Sequence, residues 1–107
     1  MSTPLYQLKA EFFRTLGHPV RIRVLELLSE REYAVGEMLP EVGIEAANLS
    51  QHLAVLRRAG LVATRKEGSS VFYSLTSPQV AELLRVARQI LTGVLSGQAD
   101  LLEGLRT

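Results

Sequence analysis

The chain of 107 residues contains no cysteine. This absence excludes disulfide bonds, thiolate metal ligands and thiol-based redox switches, and a reducing compartment is the simplest setting for such a chain. The sequence also lacks a run of the ~20 apolar residues that a membrane-spanning helix needs. Its first residues alternate charged and apolar types, so we expect no secretion signal, no membrane association and a cytoplasmic location.

An excess of charge of one sign is missing too, because twelve Lys and Arg and eleven Asp and Glu leave a formal net charge of +1. The total charge therefore predicts no polyanionic partner. The distribution along the chain is more informative. Residues 26–45 are rich in acids, whereas residues 46–66 contain four basic residues and neither Asp nor Glu. We therefore expect one basic face on a nearly neutral protein.

Hydrophobic residues make up 47% of the chain, which is enough to bury the core of one small domain. Pro4, Pro19 and Pro78 each follow a residue that could precede a helix. Proline is well tolerated at the first helical position, so these prolines predict three helix starts. The apolar residues behind them recur at helical spacing.

The middle of the chain predicts a helix-turn-helix unit at 34–59. A short apolar segment stops near Pro40, Gly43 precedes a longer helix at 46–59, and Gly60 closes that helix. The following runs LVATRK and VFYSL are rich in β-branched and aromatic residues, which predicts a β-hairpin at 61–76. The predicted fold is a single, mainly α domain with a small β-hairpin, that is, a winged helix-turn-helix.

The tail carries a persistent apolar stripe from Pro78 to Leu105, which predicts a helix about 42 Å long unless Gly93 or Gly97 bends it. A domain this small cannot cover such a helix, so a two-fold dimer through residues 1–17 and 78–107 is expected. The alternative is a stripe that packs wholly on its own domain. The candidate interface residues are Leu5, Leu8, Phe12, Leu84, Leu91, Val94, Leu95 and Leu102.

The stretch SQHLAVLRRAGLV at 50–62 carries the functional prediction. At 100° per residue, Leu49, Leu53 and Leu56 share one narrow arc that must face the core. The opposite arc holds small residues, amides and a guanidinium, which suits close approach to base edges in the major groove of DNA. Flanking residues are better placed for phosphates. The candidate DNA-binding residues of this helix are Ala47, Asn48, Gln51, Ala54 and Arg58, with Ser50 and Arg57 on the phosphate side.

The hairpin extends this candidate surface. Arg65 and Lys66 lead into a small tip at 68–70, of which Ser69 is a further candidate, and this tip suits a phosphate backbone or a minor groove. Adjacent arginines on a helix are most often a solvated face, and a basic hairpin alone is a weak signal. The order of helix, turn, helix and basic hairpin in one small domain favours DNA.

The chain resembles the ArsR/SmtB family of bacterial winged-helix repressors over almost its whole length. The matching stretches are LGHPVRIRVLELL at 16–28, VGEMLPEVGI at 35–44, LSQHLAVLRRAGLV at 49–62 and RKEGSSVFYSL at 65–75. The resemblance implies five helices and a β-wing, a homodimer joined through its first and last helices, and repression by occupying an operator. It also implies DNA contacts by Ser50 and Gln51 on the recognition helix and by Arg65 in the wing.

The chain departs from this family at the start of the recognition helix. Glu45, Ala46 and Ala47 stand where members often have a polar run. Glutamate is a weaker N-cap than serine or aspartate, and phosphates repel a carboxylate. Operator sequence or affinity is therefore expected to differ from the family norm.

The second departure concerns sensing, because many members bind metal through cysteines or through His and carboxylate ligands. Only His18 and His52 exist here, too few for a tetrahedral site, and we expect a structural role for His18. His52 is expected to flank the DNA-reading face or to pack. Asp100 and Glu103 suit a weak cation site across a dimer, but a solvated acidic patch is the simpler interpretation. We predict no cofactor and no high-affinity transition-metal site.

Two functions remain open at this point. The first is a dimeric repressor that reads an inverted repeat in double-stranded DNA. The second is a winged-helix adaptor that regulates through a separate sensor protein and binds DNA weakly. An enzyme is disfavoured, since Ser50 and His52 point about 200° apart on one helix and no glycine-rich phosphate loop is present.

Overall fold

The computed structural model describes residues 2–106, which form five helices and three strands. In chain order these are α1 (Leu5–Leu16), α2 (Pro19–Glu30), β1 (Tyr33–Ala34), α3 (Val35–Val42), α4 (Ala46–Arg58), β2 (Val62–Glu67), β3 (Ser70–Leu75) and α5 (Pro78–Arg106). The winged helix-turn-helix predicted from the sequence is confirmed, with α3 and α4 as its two helices and β2 and β3 as its wing.

The sheet has three antiparallel strands in the order β1-β3-β2 rather than the two of a simple hairpin. Strand β1 pairs Tyr33 with Tyr73 and Ala34 with Phe72. Two residues are too few to give a readable alternation of apolar and polar side chains, so the sequence did not predict this strand. Its pairing joins the wing to the junction between α2 and α3.

Local signals set most helix ends. His18 is the N-cap of α2, where its Nδ1 accepts a hydrogen bond from the Val20 N–H at 3.1 Å, and Pro19 occupies the first turn. Helix α3 continues past Pro40, two residues further than expected, because Gly43 with a φ of 75° ends it. Pro4 lies just before α1, as its N-cap, rather than inside its first turn.

The end of α4 fixes the position of the wing. Gly60 adopts a φ of 77°, its N–H bonds to the Arg57 carbonyl, and the Leu61 N–H bonds to the Leu56 carbonyl, both at 3.0 Å. This pair of bonds is the Schellman motif, here accompanied by burial of Leu56 and Leu61. Thr76 then donates its N–H to the Leu61 carbonyl at 3.1 Å. The base of the wing is therefore anchored to the end of α4.

The core lies between α2, α3, α4 and the sheet, and the start of α5 covers one side. Val80 is buried, Leu83 and Leu84 are partly buried, and residues 87–105 of α5 are all exposed. Helix α5 is continuous through Gly93 and Gly97 and is about 43 Å long at ~1.5 Å per residue. The alternative that its stripe packs on its own domain is therefore wrong.

The molecule is elongated because α5 projects from the core. Its radius of gyration is 17.2 Å, against about 13 Å for a compact chain of this length. No helix within residues 2–106 is both long enough and apolar enough to cross a membrane.

Candidate nucleic-acid interface

Helix α4 turns its leucines inward. Leu49, Leu53 and Leu56 are at most 1% exposed, which confirms the orientation predicted from their spacing. The side chains expected to meet DNA lie on the remaining surface, where most of them are exposed and Ala54 is half-buried. The exposed ones are Ala47, Asn48, Ser50, Gln51, Arg57 and Arg58.

The polar side chains of this exposed face have no partner among residues 2–106. Asn48, Ser50 and Gln51 form no side-chain hydrogen bond, and neither Arg57 nor Arg58 forms an ion pair. Their donors and acceptors are therefore available to an external ligand. Small Ala47 lies between them and adds no bulk, so a flat, hydrogen-bonding ligand such as a base-pair edge can approach closely.

A cleft of about 490 Å³ separates α4 from the wing. Ser50, Ala54, Arg57 and Arg58 form its α4 side, and Tyr73 of β3 forms the opposite side. Tyr73 was not among the residues predicted from the sequence. Its apolar run was read only as a strand, and the approach of β3 to α4 depends on the tertiary fold.

The wing arginine is already engaged within the chain. The Arg65 Nε donates to both carboxylate oxygens of Glu32, at 2.9 and 3.1 Å, and Nη1 donates to Glu67 at 2.6 Å. The guanidinium carbon lies 4.6 Å from the ring centroid of Phe72. Lys66 and Ser69, the other wing candidates, are exposed. Three of the five guanidinium donors are therefore occupied, and two carboxylates offset the charge that a phosphate would bind.

These contacts stabilise the charged forms of both Glu32 and Arg65. The hydrogen bond from Arg65 lowers the pKa of Glu32, and hydrogen bonds to Glu32 and Glu67 raise the pKa of Arg65. Both residues carry full charge at neutral pH. Because Glu32 and Arg65 are 33 residues apart, sequence spacing gave no sign of the pair.

His18 and His52 pack against each other, with ring centroids 4.2 Å apart. The His52 Nδ1 accepts a hydrogen bond from the Arg21 Nε at 3.1 Å, and Arg21 also donates to the Thr15 carbonyl. Burial, then the charges of His18 and Arg21, lower the pKa of His52. The structural role expected for His18 is confirmed. His52 was expected either to flank the DNA-reading face or to pack, and in the structure it packs.

No three His, Asp or Glu side chains come together as a metal-binding group in the part of the chain that the structure describes. Asp100 is exposed, and so is Glu103.

A second surface consists of uncovered apolar side chains on α1 and α5. Six of the eight residues expected at a dimer interface are at least 50% exposed, whereas Phe12 and Leu84 pack partly against the core. Those six are Leu5, Leu8, Leu91, Val94, Leu95 and Leu102. The sequence-based set omitted several further exposed apolar residues of these helices, namely Tyr6, Phe13, Ile90, Leu101 and Leu105.

Comparison with known proteins agrees with this architecture. Residues 18–64 match the family described as bacterial regulatory protein, arsR family. Rv0081 of Mycobacterium tuberculosis, an HTH-type transcriptional regulator, is 59% identical over 106 residues, which cover 98% of this chain and 93% of Rv0081. The crystal structure of Rv0081 matches with a TM-score of 0.85 at 60% identity, covering 92% of this chain and 99% of that one.

Two further relatives have more specific descriptions. The biofilm growth-associated repressor of Xylella fastidiosa is 43% identical over 75 residues, which cover 70% of this chain and 66% of the repressor. The homodimeric winged helix-turn-helix DNA-binding domain of Mb0332 from Mycobacterium bovis matches with a TM-score of 0.78 at 27% identity, covering 87% of this chain and 86% of that one. Together with the match to Rv0081, these relatives show that the chain belongs to the ArsR family of bacterial DNA-binding transcriptional regulators and is not an enzyme.

Proposed function

We propose that this protein is a dimeric repressor that binds an inverted-repeat operator through α4, without a cysteine- or histidine-based metal sensor. The observation that carries the proposal is the outward face of α4. Its leucines are buried in the core, and its amides and arginines are exposed without partners.

The proposed contacts divide α4 into two parts. Asn48 and Gln51 lie in its first half, where the exposed face is lined with small residues, and amides pair well with adenine in the major groove. Ser50 and Arg57 lie on the flank toward the wing and are assigned to phosphates. The exposed wing residues Lys66 and Ser69, and Arg65 once it is released, are assigned to the adjacent backbone.

Dimerisation accounts for the uncovered surface of α1 and α5. Monomers rarely leave an apolar stripe of this length exposed, and a two-fold dimer buries the same stripe from both subunits. Two α4 helices related by a two-fold axis would reach half-sites about 34 Å apart. The homodimeric state of Mb0332 is consistent with this arrangement.

The sensing step is proposed to use something other than a tightly bound transition metal. The chain has no cysteine, and the Nδ1 atoms of both histidines already accept hydrogen bonds from the protein. Isothermal titration with zinc and nickel tests this part of the proposal. Sub-micromolar affinity for either metal would contradict it.

The DNA-binding part of the proposal is tested by fluorescence anisotropy with a duplex from upstream of the protein's own gene. A scrambled duplex of equal length and composition is the control. We expect the upstream duplex to bind at least a thousandfold more tightly at physiological salt, a typical specificity ratio for a repressor. Equal affinity for the two duplexes would refute sequence-specific binding.

A winged-helix adaptor that acts through a sensor protein is the second candidate. The observation that favours it is Arg65, three of whose five donors are bonded to Glu32 and Glu67. Light scattering of the purified chain, alone and with the product of a neighbouring gene, distinguishes the two functions. A repressor is a homodimer by itself, whereas an adaptor forms a stable particle only with its partner.

A further inference from the structure

The cleft between α4 and the wing combines features that the proposed base-reading face does not use. Ser50, Ala54, Arg57 and Arg58 follow one side of α4 at helical spacing, and Tyr73 closes the cleft from β3. Ala54 contributes only a methyl group, so the cleft stays open between the longer side chains. Each of its polar side chains has a hydrogen-bond donor, and no carboxylate lines it.

The charge in this cleft is uncompensated. Arg57 and Arg58 form no ion pair within residues 2–106, whereas five other arginines each have a glutamate within 4 Å. Those five are Arg14, Arg23, Arg31, Arg65 and Arg85. Two adjacent guanidinium groups without a counter-ion attract an anion, and guanidinium is the side chain best matched to phosphate.

Tyr73 supplies an independent indication. Its ring packs against the core. Tyr73 lies in the central strand β3, where it pairs with Thr64 of β2 and Tyr33 of β1, so its backbone is fixed on both sides. Its hydroxyl forms no hydrogen bond with any described residue. A tyrosine with an apolar ring against the core and its hydroxyl at a surface is well suited to donate to a polar ligand. In the cleft that Tyr73 lines, this hydroxyl is available to a ligand.

We propose that this cleft binds one phosphodiester of the DNA backbone, with the Tyr73 hydroxyl donating to a phosphate oxygen and Arg57 and Arg58 supplying the charge. The proposal rests on the DNA-binding function proposed above. A backbone strand that leaves α4 toward the wing must pass between these two elements, which is where the cleft lies. Arg58, assigned to a base on sequence grounds, is thereby reassigned to the backbone.

A phosphate pocket has a characteristic signature, because phosphate contacts position the protein without reading sequence. Loss of the Tyr73 hydroxyl weakens binding to every duplex by the same factor. It leaves the salt dependence unchanged, since a hydroxyl displaces no counter-ion. Loss of the Arg58 charge also weakens all binding. It lowers the slope of log affinity against log salt by about 0.9 for each subunit, or about 1.8 for the dimer.

The test uses Tyr73→Phe and Arg58→Gln in the full-length protein. Tyr33→Phe is the matched hydroxyl deletion, because Tyr33 lies on the adjacent strand β1 and does not line the cleft. Anisotropy is measured on the upstream and scrambled duplexes at several chloride concentrations. We expect Tyr73→Phe to weaken binding to both duplexes by roughly tenfold for each subunit, as for a lost bond to a charged group, and Tyr33→Phe to leave both affinities unchanged. Circular dichroism at the assay temperature verifies that each variant is folded.

The results distinguish failure of the phosphate cleft from failure of sequence-specific DNA binding. An unchanged affinity of Tyr73→Phe, or a loss confined to the upstream duplex, overturns the pocket while the wild type still discriminates between duplexes. A wild type that does not discriminate refutes specific binding instead. Isothermal titration of the DNA-free protein with inorganic phosphate, at constant ionic strength, tests whether the cleft binds free phosphate instead of the DNA backbone. If phosphate binds the DNA-free wild type but not Tyr73→Phe, while both proteins bind DNA equally, the cleft is a free-phosphate site and the proposal fails.

Discussion

His52 is a polar side chain of α4 that points away from the proposed DNA face and into the molecule. It packs on His18 and accepts a hydrogen bond from Arg21, so it joins α4 to the first turn of α2. Only a neutral imidazole can accept at Nδ1. Protonation therefore converts a stabilising contact into a repulsion between His52 and Arg21.

This contact predicts that stability falls in mild acid. The pKa of His52 is lowered in the folded chain, whereas the unfolded chain titrates near the usual value of about 6.5. As pH falls through that value, the unfolded state binds a proton first, and the free energy of unfolding decreases until the folded pKa is passed.

Thermal unfolding between pH 7.5 and 5 measures this effect, with His52→Gln as the comparison. We expect the wild type to lose melting temperature over this interval and the variant to lose less, because glutamine does not titrate. An equal loss in both proteins would assign the pH dependence to other groups.

The helix and strand elements were readable from sequence wherever a local signal defines them. The three leucines of α4 and Gly60 predicted its buried side and its end, and both are found. Strand β1 was missed because it is two residues long. The Arg65–Glu32 pair and the position of Tyr73 were missed because each joins segments distant in sequence. Such contacts depend on the packing of whole elements.

Two glycines, Gly60 at the end of α4 and Gly36 in α3, are predicted to respond oppositely to alanine. One substitution should lower the free energy of unfolding and the other should raise it. An added methyl group would meet no atom within 4 Å at either Gly60 or Gly36, so only the backbone conformation differs. Gly60→Ala forces alanine into the left-handed region and should cost about 1–2 kcal/mol. Gly36→Ala lies within α3 and should stabilise by about 0.5–1 kcal/mol.

Urea unfolding of the two glycine variants gives both values. A Gly60→Ala variant as stable as the wild type would contradict the Schellman geometry at the end of α4.

The wing predicts competition between Glu32 and DNA for Arg65. Glu32→Gln weakens the internal contact, so Arg65 is released more easily and affinity for DNA rises, by less than about tenfold for an exposed ion pair. Glu30→Gln removes the same charge two residues earlier and does not contact Arg65, so it is the control for net charge.

Anisotropy at low and physiological salt compares the two glutamine variants. A gain for Glu32→Gln no larger than that of Glu30→Gln would mean that Arg65 does not bind DNA. A loss would mean that the ion pair holds the wing in its binding position.

The molecule is elongated because the core covers only the beginning of α5. Only the first turns of this helix pack on the domain, and its remaining apolar residues project from it. The stripe was visible in the sequence because its period matches a helix. The sequence could not say which of its residues the domain itself covers, since that depends on where α5 lies against α2.

Dimerisation through this stripe predicts the effect of a charge placed on it. Leu95→Glu, at a position 61% exposed in the single chain, should halve the mass measured by light scattering from two chains to one. DNA affinity should fall by about a hundredfold or more, because the second half-site is no longer tethered. Gln89→Glu lies on the opposite side of α5 and should change neither quantity. A wild type that is monomeric at micromolar concentration would contradict the dimer.

Gln51→Ala tests most directly whether the exposed face of α4 reads DNA. The ratio of affinities for the upstream and scrambled duplexes is measured for the wild type, for this variant and for Gln89→Ala as the control. We expect Gln51→Ala to reduce the ratio about 5- to 150-fold for each subunit, the range for one lost base pairing per half-site, and Gln89→Ala to preserve it. An unchanged ratio in Gln51→Ala would show that this face of α4 does not read DNA through Gln51.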